Sequence, residues 1–195
     1  MFCLHKPSPT VLDNILQAQA SLSPSYPNVG LTRNGNLPAT GYHVHKAERC
    51  LGRGVESFER AASAMRDWRN FAVSYISLYP PAPSIAEGTD LVVCAHHVVM
   101  WSINVCRIMY VIDESDSKGK RFGFGYGTLP VHSEQGEERF LLSWNADSDQ
   151  VTYEITAFSR PNSLLVRLGW PLAILIQNQF RLDSVAALSS SLTTG

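Results

Sequence analysis

The chain has 195 residues, 45% of them apolar and 17% charged, with a formal net charge of −1. That is the size of one ordinary domain with enough apolar side chains for a sizeable core, and it excludes a disordered chain. A near-neutral balance without clustered Lys and Arg argues against nucleic acid, because phosphate binding is driven by such clusters; the longest basic run, "KGKR" at 118–121, falls in a turn. The start, "MFCLHKPSPTVLDNILQ", lacks the basic opening and unbroken apolar stretch of a signal peptide. The most apolar later run, 164–176, contains Arg167 and Pro171 and is shorter than the roughly 20 residues that cross a bilayer. A cytoplasmic protein with no membrane span is expected.

Val11, Leu12, Ile15 and Leu16 make a short amphipathic pattern after Pro9, and "SPSYPNVGLTRNGNLPATG" then reads as an extended arm or loop. Residues 1–40 are therefore expected to form a short helix and an arm, and 41–195 one domain. In that domain "YHVHKAERC" alternates as a strand does, and "LGRG" breaks it. Val55, Phe58, Ala61, Ala62, Met65 and Trp68 follow at helical spacing, with Glu56, Glu59, Arg60 and Arg66 opposite. Six β-like runs come next, at 71–79, 88–100, 101–112, 121–129, 137–145 and 150–159, most of them parted by turn signals such as "PPAPSIAEG" and "DESDSKGK". No signal parts the runs that meet at Met100 and Trp101, so one long bent strand is the alternative there.

From 163 to 192 the pattern is helical again, with an interruption expected at "GWP" because Pro171 removes a backbone donor. A helix over 171–192 would extend ~33 Å at 1.5 Å per residue and is expected to bury Leu172, Leu175, Ile176 and Phe180. The order predicts an α+β helix-grip: a curved antiparallel sheet of about six or seven strands wrapped around a long C-terminal helix, with a pocket between them. Cys3, Cys50, Cys94 and Cys106 form no CxxC pair and read as free thiols in a reducing compartment, with two disulfides as the alternative that an even count leaves open.

The stretches "YPNVGLTRNGNLPATGY", "LGRGVESFERAASAMRDW", "FGYGTLPVHSEQGEERF" and "YEITAFSRPNSLLVRLGWP" together resemble the uncharacterised family called domain of unknown function 1990, or UPF0548, over roughly residues 26–185. The resemblance implies a fold of the START and birch-pollen-allergen type, a superfamily of lipid carriers, hormone receptors, cyclases and hydrolases. It therefore implies a pocket and no particular reaction. The polar positions it brings forward are Tyr126, Thr128, His132, Glu137, Glu138 and Glu154. One departure bears on the loop around His132: Val131 stands where the family's motif has glycine.

Strand phase sorts these candidates. Glu138 alternates with Phe140, Leu142 and Trp144, so it is expected at the end of the buried face, while Glu137 points outward with Arg139. A carboxylate on an apolar face is costly unless paired, which makes Glu138 the preferred acid/base or ligand-anchoring group. Its bland alternative is a solvated strand end. His132, in the connection at the same end of the sheet, is the candidate to act with it as general acid or base. Glu154 falls on the face opposite Tyr153, with Thr152 and Thr156. A cross-strand ion pair with Arg139 is its structural reading and a ligand contact its functional one. Phe124, Tyr126, Thr128, Phe140, Trp144 and Tyr153 are the expected pocket lining.

In "RFGFGYGTL", Gly123, Gly125 and Gly127 alternate with Phe122, Phe124 and Tyr126. With the aromatics turned inward the glycines lie on the convex side and let the strand bend; the opposite phase, with glycines hollowing the cavity, is the alternative. His43 and His45 share a face without an evident third ligand, and "GFGYG" lacks the following helix of a dinucleotide site. No metal and no cofactor are expected. The leading reading is a small hydrophobic-molecule-binding protein. A cyclase, isomerase or hydrolase using the same pocket is the alternative, and a structural or protein-interaction module contacting partners through its arm is the second alternative.

Overall fold

The computed structural model describes residues 1–97, 99–162, 167 and 170–193, the side chains of 170–173 and 193 excepted. The strands are β1 (Phe2–Cys3), β2 (His43–Arg53), β3 (Ile76–Tyr79), β4 (Asp90–His97), β5 (Met100–Asp116), β6 (Gly119–Thr128), β7 (Glu134–Asn145) and β8 (Gln150–Pro161). The α-helices are α1 (Pro9–Gln19), α2 (Leu31–Asn34), α3 (Val55–Arg66) and α4 (Trp170–Thr193), and a 3-10 turn covers Arg69–Phe71.

All strand pairs are antiparallel, in the order β2-β8-β7-β6-β5-β4-β3, with β1 added against the start of β5. The sheet curves around α3 and α4, which is the helix-grip architecture that the element order predicts. The runs meeting at Met100 are two strands, not one: β4 and β5 pair with His97 opposite Met100. The interruption expected at 169–171 and the burial expected of Leu172 lie outside the described residues. Leu175 corrects the helix phase, since it is 64% exposed, whereas Phe180 packs against the core. Among the described residues no helix is long and apolar enough to cross a membrane.

The two faces of the sheet carry separate cores, as alternation along each strand requires. On the concave face Phe58, Ala61, Ala62 and Met65 of α3 and Leu188 of α4 pack on Leu91, Ile108, Phe124, Phe140, Tyr153 and Ile155. These are the helix stripe and strand phases visible in the sequence. Phe71 links the aromatic cluster, at 5.2 Å from Phe140 and 5.3 Å from Phe180 between ring centroids. On the convex face Leu12 of α1 packs on Val92, Cys94, Ile103 and Val105.

The segment after α1 continues across the convex face. Arg107 donates to the carbonyls of Ala20 and Leu22 while pairing with Asp90 at 2.6 Å, and Ser25 N donates to Thr128 O at 2.9 Å. Tyr26 then settles edge-on against Phe158 and is 4% exposed. The glycines of β6 lie on this side and the aromatics on the other. Their use is close approach more than bending: a Cβ at Gly125 would stand 2.3 Å from the Tyr110 ring, and one at Gly127 would stand 2.2 Å from the Tyr26 hydroxyl.

Candidate functional site

At one end of the concave face the aromatic core gives way to a cavity of about 420 Å³, a volume suited to a small organic ligand. Ile176, Gln177, Phe180 and Arg181 of α4 form one wall. β4 to β8 form the other, and the exposed Phe2 and Met100 stand at the rim. Apolar atoms make up most of the lining surface, and most of the polar side chains fall into three groups.

The first group contains Glu138. Cross-strand register lines it up with Tyr126 on one side and Ala157 on the other. Tyr126 Oη donates to Glu138 Oε2 at 2.8 Å, and Arg181 Nε stands 3.3 Å from Oε1. Arg181 is 5% exposed, so its charge is met by Glu138 inside the protein. Burial, and then the negative charge of Glu138, push the Tyr126 phenol well above its ordinary range, and it stays a donor.

The second group is Glu134, Gln177 and His132. Gln177 Nε2 donates to Glu134 Oε2, and His132 Nδ1 accepts from the backbone N–H of Glu134 at 2.9 Å. Burial raises the Glu134 carboxyl, with Gln177 and Ser159 partly offsetting it. Burial, helped by the nearby amino terminus, pushes His132 down to about 3. The imidazole is therefore neutral at physiological pH, with Nδ1 already engaged as an acceptor.

The third group is His97, Ser102, Asn104 and Ser133. Ser102 Oγ lies 2.9 Å from both His97 Nε2 and Asn104 Nδ2, and Ser133 Oγ donates to Asn104 Oδ1 at 3.0 Å. Burial lowers His97, as it lowers His45, which comes down to about 4 with the charge of Arg181 adding to the effect. His43 and His45 meet edge to face at 4.0 Å between ring centroids. Among the described residues no three His, Cys, Asp or Glu side chains gather as a metal site would need.

Of the residues singled out in the sequence, Tyr126, Thr128, His132 and Glu138 line this cavity, and Glu137 borders it although its carboxylate is engaged on the other face. Phe124, Phe140 and Tyr153 do not. They share the right face of the sheet but lie under α3 and the Phe71 turn, in core closed on all sides. Trp144 is at the far end of β7, where its indole N–H donates to Asp149. Glu154 is on the convex face, paired with Arg139 and accepting from Thr156 Oγ1 at 2.8 Å. Burial alone would raise its carboxyl, but these donors outweigh it and hold the group below the ordinary range.

Glu137 faces away from the cavity, as its phase requires, yet it does not reach solvent: it is 3% exposed under the arm. Its carboxylate accepts from Tyr26 Oη and Gly30 N, both at 2.7 Å, from Thr32 N at 2.9 Å, and from the Thr32 hydroxyl. Arg181, Gln177 and Glu134 are among the cavity residues that sequence reasoning missed, as are Ser102, Asn104 and Ser133. The signal for Glu134 was its position four residues before Glu138, in the same strand phase. The signal for Gln177 and Arg181 was their spacing of one helical turn beside Ile176 and Phe180.

A family model described as a domain of unknown function, DUF1990, matches residues 25–187. A UPF0548 protein of Dictyostelium discoideum is 31% identical, covering 94% of this chain and 92% of its own length. A UPF0548 protein of Arabidopsis thaliana is 32% identical over 81% of this chain and 77% of its own. Among solved structures, a truncated norcoclaurine synthase from Thalictrum flavum is similar at 11% identity and a TM-score of 0.45, covering 82% of this chain and 99% of that one.

Proposed function

The chain belongs to the DUF1990 family, whose description assigns no activity, and from the cavity itself we propose that the protein binds a small, largely apolar molecule with one polar end. The observation that carries this reading is the pairing of a cavity of about 420 Å³ with the Glu138–Arg181 pair in its wall. A solid core would have closed over that volume. A buried ion pair is costly unless it is fully served by neighbours, so a carboxylate and a guanidinium facing an apolar hollow fit a ligand that completes their contacts. Phe180 and Tyr126 would contact the body of the ligand. The polar side chains that α4 and β7 bring to the wall, Glu138 with Arg181 and Glu134 with Gln177, are the candidates to meet its polar end. In this reading α1 and the segment that follows it belong to the opposite face and do not touch the ligand, while Phe2 stands at the rim of its cavity.

Filling the cavity tests this directly. Ala95 lines it and is 6% exposed. In native mass spectrometry and thermal-shift assays against amphipathic libraries, the native chain should take up one ligand per molecule, and Ala95→Phe should abolish uptake while keeping a cooperative melt. Uptake by Ala95→Phe equal to that of the native chain would place the ligand elsewhere and overturn the reading.

A further inference from the structure

α4 and β7 face each other across the cavity through two side-chain bridges. Arg181 meets Glu138, and one helical turn earlier Gln177 meets Glu134. Along the strand the two carboxylates are four residues apart, or roughly 13 Å at the extended rise, so they are separate stations. At one station the carboxylate is answered by a guanidinium, at the other by a neutral amide.

Glu134 has no Lys or Arg within ion-pair distance among the described residues. The imidazoles of His132 and His97, which line the same cavity, bring it no charge, since burial keeps them neutral near pH 7. Beside it, Gln177 Oε1 is buried with no hydrogen-bond partner. The station thus holds two acceptors with unused capacity and a carboxylate that no ion pair meets, the charge of Arg181 reaching it only from a distance. It faces a hollow whose walls include Ile176, Phe180 and Met100.

Resting on the reading of the cavity as a ligand pocket, we propose that the ligand is an amphipathic organic cation: a primary or secondary ammonium on an apolar body. Its N–H groups are donated to the Glu134 carboxylate and to Gln177 Oε1, and its body lies along Ile176 and Phe180. A neutral hydroxyl would supply one hydrogen bond and leave the buried charge unanswered. A carboxylate ligand would add a second negative charge to the same station, which the neutral amide of Gln177 does not offset. The upward displacement of Glu134 by burial has the sense expected of a carboxylate awaiting a counter-ion.

The test is calorimetric titration of the full chain at neutral pH with n-decylamine, n-decanol and n-decanoate, which share one apolar body and differ in head group. Decylamine should bind at least about tenfold more tightly than decanol, the increment of a charge-assisted hydrogen bond, and decanoate most weakly. Glu134→Gln should bring the amine-to-alcohol ratio close to one. Gln177→Lys, which sets a cation of the protein's own beside an intact Glu134, should do the same, and melting curves of both variants establish that they are folded. Decanol or decanoate binding as tightly as decylamine, or a ratio unchanged in both variants, overturns the cation while leaving the pocket standing. If none of the three probes binds the native chain, the pocket reading falls and this inference falls with it.

Discussion

Glu137 and Glu138 are neighbours in the chain, and the pleat of β7 sends them into two different kinds of interior. Glu137 on the convex face is closed in by the arm, with four donors aimed at its two oxygens. Glu138 on the concave face has a phenol and a guanidinium and borders empty volume. A carboxylate whose acceptor capacity is filled by the chain itself works as a fastener. One that is partly served beside a hollow is able to meet something from outside. Burial alone does not separate the two, but the inventory of partners does.

The largest test of this contrast is Glu137→Ala. It strands the Tyr26 hydroxyl and the N–H groups of Gly30 and Thr32, leaving the Thr32 hydroxyl only Tyr110 as a partner, and each buried donor left unpaired costs about 1–3 kcal/mol. A loss on the order of 5 kcal/mol by denaturant titration is expected, comparable to the whole stability of many domains, together with rapid proteolytic cleavage in residues 20–40. A loss below about 1 kcal/mol would mean that the arm is not fastened there. The two concave neighbourhoods separate next. Phe140 is 0% exposed in closed core, so Phe140→Ala should cost about 3–5 kcal/mol. Phe180 packs on the same cluster but also borders the cavity, so Phe180→Ala removes fewer contacts and should cost clearly less. Equal losses in paired melts would show that the cavity edge is packed as tightly as the core.

The fold was legible in the sequence because periodicity reports which face a side chain occupies. The helical stripe ending in Met65 and the in-phase aromatics of β6 and β7 led directly to the concave core. Periodicity does not report what covers that face. Phe124, Phe140 and Tyr153 had the phase of a pocket lining and turned out to lie under α3, while Tyr126, two residues from Phe124, borders the hollow. The glycines of β6 were placed on the correct side, but the reason for them, the Tyr110 and Tyr26 rings, comes from segments remote in sequence. "PVHSEQG" reads as a turn, so Glu134 was hidden inside a strand that begins three residues before the run expected at 137–145. The role of Arg181 depends on which side of α4 meets the sheet, and the misjudged Leu175 shows that side to be hard to read in a helix rich in apolar residues all round.

The smallest effect expected is a slope with pH, and its sign also divides the two faces. His132 titrates at about 3 in the folded chain against an ordinary 6.5, so the folded state binds fewer protons than the unfolded state between those values. Its contribution to stability is complete above 6.5 and is lost as pH falls toward 3. Glu154 on the convex face, held below its ordinary 4.5, adds a loss of the same sign in the acid part of that window. Glu134 acts oppositely: its carboxyl is raised by burial, so the folded state holds its proton longer and loses stability as pH rises through the raised value. The native chain should therefore lose stability from pH 6.5 downward, more gently than the histidine alone would dictate. His132→Asn keeps an acceptor near the position of Nδ1 for the Glu134 N–H but does not titrate. Its melting temperature should fall less steeply than that of the native chain as the pH is lowered from 6.5, and Glu134→Gln should make the fall steeper. Parallel curves for native chain and His132→Asn would mean that water reaches the imidazole freely and that the concave end is more open than its hydrogen bonds indicate.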